Sequence, residues 1–185
     1  MQAQLSKVIG RFQTAERRIH QLVDSLPAER WALRSSPDRW SVAECVAHLN
    51  IISRAFVPFI RTALDKVEPH PDPARMRYRR DGVGWFFSIL VGPIPRFGRF
   101  RIGAARTPRP FVPQGDLPRA DLIREFDELQ DEQIGLARAS EGKGLDRASI
   151  SSPFDPRVHY NLYSTFVILG RHQLRHVAQP EPVWD

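Results

Sequence analysis

Apolar residues return every three or four positions through four long stretches of this 185-residue chain, and that period admits helices and little else. The first stretch covers residues 3–26, with Leu5, Val8, Ile9, Phe12, Ile19, Leu22, Val23 and Leu26 on one stripe and Pro27 as its stop. The second opens at Ser41-Val42-Ala43-Glu44, where a serine cap and a glutamate three residues later satisfy two orphan backbone donors reciprocally. It runs to about Lys66 and turns Val42, Cys45, Leu49, Ile52 and Phe56 inward. The third begins near Pro118, carries Leu122, Phe126, Leu129, Gln133 and Leu136, and ends around Ser140. The fourth starts at Asn161, a good cap, and stops at Pro180. No strand and no internal repeat is expected. The pattern predicts an all-α fold: one domain over 1–185, built as a four-helix bundle with a long crossover between helices two and three.

That crossover, about 67–118, is rich in proline, glycine and arginine. One short helix is expected in it, from Gly84 to Val91, and a connection this long usually lies over a site or an interface. Val83–Ile94 holds Trp85, Phe86, Phe87, Ile89, Leu90 and Val91, more than one short helix can bury against one face. Part of it is therefore expected to meet a second copy of the chain or to cover a cavity mouth. Charge is concentrated in the same segment. Arg75, Arg77, Arg79, Arg80, Arg96, Arg99, Arg101, Arg106 and Arg109 stand against a single acid, Asp81. The whole chain carries +6, so the remainder is slightly acidic. Such a segment suits an anionic partner, and guanidinium forks suit carboxylate and phosphate. A structural alternative pairs these arginines with acids of the bundle or with a partner chain. Trp31 and Trp40 are expected to anchor the connection between the first two helices.

Three histidines sit where helical geometry makes them interesting. His172 and His176 are four apart, so they stack on one helix face behind the apolar stripe of Leu162, Thr165 and Leu169. His48 lies beside Cys45, Leu49 and Ile52, two turns into the second helix. A buried imidazole needs partners for both nitrogens, and a metal is one good partner; a pair of half-buried or solvent-facing histidines is the plain alternative. Neither metalloprotease motif fits, because the run is His172-Gln173-Leu174-Arg175-His176, with glutamate at neither required place. Cys45 reads as a small core residue, and Glu44 as the capping-box acid. Asn50 is placed toward a loop or the cavity mouth, His159, Tyr160 and Tyr163 at the start of the last helix, and Arg171 and Arg175 pointing outward. A lone cysteine leaves no internal disulfide, which suits a reducing cytoplasm. The longest mostly apolar run is too short and too broken to span a bilayer.

Two segments carry a resemblance. Trp40-Ser41-Val42-Ala43-Glu44-Cys45-Val46-Ala47-His48-Leu49 resembles the second-helix signature of the DinB-like (DinB/YfiT) superfamily, and His172-Gln173-Leu174-Arg175-His176-Val177-Ala178-Gln179 resembles its fourth-helix signature. The resemblance extends over nearly the whole chain, including Pro110-Phe111-Val112-Pro113. It implies an up-up-down-down four-helix bundle, frequent homodimers, and a divalent nickel, zinc or iron ion held by His48, His172 and His176. It implies a metal-dependent hydrolase or a low-molecular-weight-thiol S-transferase, and the arginine-rich crossover adds the expectation of a small, anionic substrate. Nucleic acid and membrane are not expected partners on that reading. The rival is a non-enzymatic bundle that binds an anionic ligand, nucleic acid or a membrane surface through Arg75–Arg109.

Overall fold

The computed structural model describes residues 1–37, 39–72, 76–93, 107–114 and 118–178. The described residues form five α-helices, two 3-10 turns and one two-stranded sheet. The helices are α1 (Ala3–Ser25), α2 (Val42–Lys66), α3 (Gly82–Leu90), α4 (Arg119–Ala139) and α5 (Leu162–Val177); 3-10 turns occupy Ala28–Arg30 and Arg109–Phe111. The expected starts hold for local reasons. The Ser41 hydroxyl accepts from the Glu44 N–H and the Glu44 carboxylate accepts from the Ser41 N–H, completing the capping box of α2. Asn161 caps α5 by accepting from the Ser164 N–H. The side chain of Glu44 also pairs with Arg34, so it is fully committed to structure.

The four long helices close on one another. α1 packs against α5 and α4, and α2 packs against the same two. Phe12, Phe56, Phe126 and Phe166 supply the largest fully buried side chains, one from each helix. Between these apolar layers lies a buried amide network. Gln130 and Gln173 exchange hydrogen bonds of 3.0 and 2.8 Å, Gln130 also donates to the Phe12 carbonyl, and Gln133 donates to the Ser53 hydroxyl. Every long helix contributes a group to it. α2 is the one described helix long and apolar enough to cross a membrane, but 67% of its apolar window is buried inside the protein.

Three sequence expectations need correction. First, residues expected as loop form a hairpin, β1 (Ser149–Ser152) with β2 (Asp155–Asn161), paired antiparallel with an irregularity after Ser151. Its strands are short and carry Pro156, so the alternation of Ile150, Val158 and Tyr160 is too brief to declare itself. His159 and Tyr160 therefore lie on β2, ahead of the helix they were expected to start. Second, Arg171 and Arg175 do not point outward. Arg171 Nε donates to the Ser88 carbonyl at 2.6 Å and Arg175 Nη1 donates to the Leu90 carbonyl at 2.8 Å, clamping the last turn of α3 onto α5. Third, Asn50 faces α4, donating to the Leu122 carbonyl and to Glu125.

Residues 76–93 of the crossover are firmly tied down. Tyr78 is buried, stacks on Tyr163 at 5.1 Å, and donates to the Ser140 carbonyl. Asp81 then joins two helix starts. Its Oδ1 accepts from the Gly84 N–H of α3, and its Oδ2 accepts from the Asn161 N–H and the Ser164 hydroxyl of α5. Burial alone would raise the Asp81 carboxyl, but these donors outweigh it and hold it below the usual range. Gly84 is required here, since a Cβ at this position would overlap the Ser164 side chain. Gly84→Ala is therefore expected to lift α3 from α5 at a cost of about 1–3 kcal/mol. Urea denaturation reads that loss, and faster proteolytic cleavage between residues 78 and 93 locates it.

Candidate metal centre

α2 and α5 meet side by side, and at one level of that contact they bring together His48, His172 and His176. His48 and His176 are buried, and His172 is the partly exposed member. His172 Nε2 lies 3.3 Å from His48 Nε2 and 3.1 Å from His176 Nε2. A tetrahedral zinc with Zn–N bonds of about 2.0–2.1 Å holds its nitrogens about 3.3–3.4 Å apart. The three rings also offer ligand atoms that all lie within 4.8 Å of one another, so they could hold one ion. The three residues picked out by helical spacing are the three that converge.

The surroundings prepare these nitrogens to donate electrons. His48 Nδ1 lies 2.8 Å from the Phe111 carbonyl, which assigns the proton to Nδ1 and leaves the lone pair on Nε2. Phe111 is itself buried and packs on Phe154 of the hairpin at 4.5 Å. Its carbonyl is presented by a 3-10 turn, Arg109–Phe111, that holds Pro110. Trp40 forms one wall, edge-on to His48 at 4.9 Å and stacked on His176 at 5.8 Å. Both contacts were out of reach of sequence reasoning. Phe111 acts through a backbone atom, and Trp40 read only as a packing anchor. The prolines at 110 and 113 were the available signal for a fixed loop.

Burial pushes the His48 imidazolium down to about 4, although its bond to the Phe111 carbonyl opposes that shift. Burial also lowers His172, helped by the nearby charges of His48 and Arg175. Both rings are therefore neutral near pH 7. A ring proton can bridge only one of the two short Nε2 contacts, whereas one ion can satisfy both, so the donor set fits a divalent metal. Cys45 does not join them. Burial raises its thiol to about 12, so it remains protonated and fits the small core residue expected from sequence. Among the described residues no carboxylate completes the three-histidine group.

These pKa directions have a stability consequence in the metal-free protein. The folded His48 value lies below the ordinary 6.5, so the unfolded chain binds more protons between the two. Stability is expected to be complete above about pH 6.5 and to fall as pH drops toward 4. Urea midpoints across that range check the slope. His48→Leu, which fills similar space without titrating, should lessen it and leave the part due to His172.

Comparison with known proteins gives the family. No curated protein and no solved structure matches the chain. Residues 11–179, which contain all five helices except the start of α1 and include His48, His172 and His176, match the DinB superfamily. The chain belongs to the DinB superfamily.

Proposed function

We propose that this protein is a metal-dependent enzyme that uses His48, His172 and His176 to hold one divalent ion, nickel, zinc or iron. The observation that carries the reading is that His48 Nε2 and His176 Nε2 lie 3.3 and 3.1 Å from His172 Nε2, with the tautomer of His48 set by the Phe111 carbonyl. In this reading α1, α2, α4 and α5 are the up-up-down-down four-helix bundle of a single domain, and the crossover supplies the roof of the site. A divalent ion there would act as a Lewis acid and lower the pKa of a bound water or thiol.

The chain's own residues have distinct tasks. His172 is the ligand nearest solvent, so substrate approaches from its side. Trp40 and Phe111 exclude water from the other sides, which strengthens electrostatic interactions within. The reaction class is hydrolysis or transfer of a low-molecular-weight thiol, on a small anionic substrate in a cytoplasmic setting. Arg109, exposed and two residues before Phe111, supports the anionic choice, because it stands where the crossover reaches the histidines.

The test has a readout apart from activity. One equivalent of zinc or nickel should raise the melting temperature of the metal-free protein, since a ligand at 100 times its Kd stabilises by about 2.7 kcal/mol. His176→Ala should abolish that rise. Turnover of ester or thiol-acceptor substrates should require the metal and disappear in the same variant. A metal-dependent rise without turnover of any substrate in either class would remove the enzymatic part of the reading and leave the metal site standing.

A further inference from the structure

We infer that α3 and the arginines at its base form a docking surface for an anionic phospholipid membrane. The central observation is that α3 is built inside out. A helix lying on a globular protein normally turns its large apolar side chains inward. In α3 the buried residues are Gly84 and Ser88, whereas Val83, Trp85, Phe86 and Ile89 are 44%, 52%, 56% and 50% exposed. The helix cannot roll over to hide them. Asp81 caps its start, Gly84 sits against Ser164, and Arg171 and Arg175 hold the Ser88 and Leu90 carbonyls. From sequence alone part of this segment is expected against a second copy or over the cavity mouth, and a membrane surface is only a rival partner of Arg75–Arg109. Their outward orientation changes the inference.

What covers such a face is decided by the charge beside it. Arg80 donates to the Ser88 hydroxyl at 2.7 Å, next to the Arg171 bond to the Ser88 carbonyl. Arg11 is close enough to both arginines that, after burial, their repulsion is among the causes that lower its pKa. None of Arg11, Arg80 and Arg171 makes an ion pair among the described residues. Arg77 and Arg79, just ahead of α3, are exposed. The acid of this segment, Asp81, is already consumed by two helix starts. The exposed Arg77, Arg79 and Arg80 that lead into α3 suit phosphate, and the exposed Trp85 and Phe86 that follow them suit the headgroup boundary of a bilayer.

A second copy of the chain fits this face less well. A symmetric pairing would set two such arginine clusters near each other. A nine-residue helix also offers little of the roughly 800 Å² per partner that a stable dimer buries. Nucleic acid fits less well again, because Gly82–Leu90 contains no charged residue.

Co-sedimentation of the full chain with vesicles tests the inference. The protein should partition onto vesicles of phosphatidylcholine with phosphatidylglycerol, bind phosphatidylcholine alone weakly, and lose binding as salt rises. Trp85→Ser with Phe86→Ser should lower the partition by at least about tenfold. Arg77→Ala with Arg79→Ala, at exposed arginines that do not hold α3, should lower binding to the anionic vesicles alone. Circular dichroism confirms that each variant is folded, and Ile89→Glu, a single change at an exposed site, gives an independent reading. Three results would overturn it: no partition at low salt, binding indifferent to Trp85 and Phe86, or a dimer that the serine variants split while vesicles bind neither form.

Discussion

Three imidazole nitrogens forced together where water is scarce set the terms for the rest of this molecule. Nitrogens 3.1 and 3.3 Å apart must share a proton or an ion, and they stay together only if the helices that carry them hold their phase. A slip of one residue turns a helix by about 100° and would carry both histidines of α5 off the shared face. The caps prevent that slip. Ser41 and Glu44 fix where α2 begins, Asn161 fixes where α5 begins, and Asp81 ties the start of α5 to the crossover. The Phe111 carbonyl then returns from the far end of the crossover to set the tautomer of His48.

Beneath the histidines, the network of Gln130, Gln133, Gln173 and Ser53 keeps the four long helices in register. Gln173 adjoins His172 and faces the reciprocal amide of Gln130. A buried amide without a partner costs about 1–3 kcal/mol, so any sliding of α4 past α5 breaks a pair that apolar residues alone would let move. Gln173 stands where a metalloprotease would place its glutamate. It has a different task here, as a pin in the core that supports the ligand beside it.

Much of this was legible in the sequence because local rules decided it. The capping box at Ser41, the Asn161 cap, the stripes of α1, α2 and α5, and the i, i+4 pair of His172 and His176 each depend on residues a turn apart. What escaped depended on groups far apart in the chain. The hairpin at 149–161 is too short and too interrupted by proline to show a period. Gln130 and Gln173 reveal themselves only as a pair. The clamping role of Arg171 and Arg175 needs the carbonyls of α3, and the outward face of α3 follows from a glycine contact with Ser164 that no periodicity encodes. Arg75, Arg96, Arg99, Arg101, Arg106 and Ile94, and the Gln179–Pro180 end of the last helix, lie outside the described residues.

The central claim is that His48, His172 and His176 act together on one ion. X-ray absorption spectroscopy on protein carrying one equivalent of zinc tests it most directly. Three imidazole nitrogens at about 2.0–2.1 Å should dominate the first shell, and His48→Ala should remove one of them. A shell of oxygens without imidazole scattering, or a spectrum that His48→Ala leaves unchanged, would contradict it.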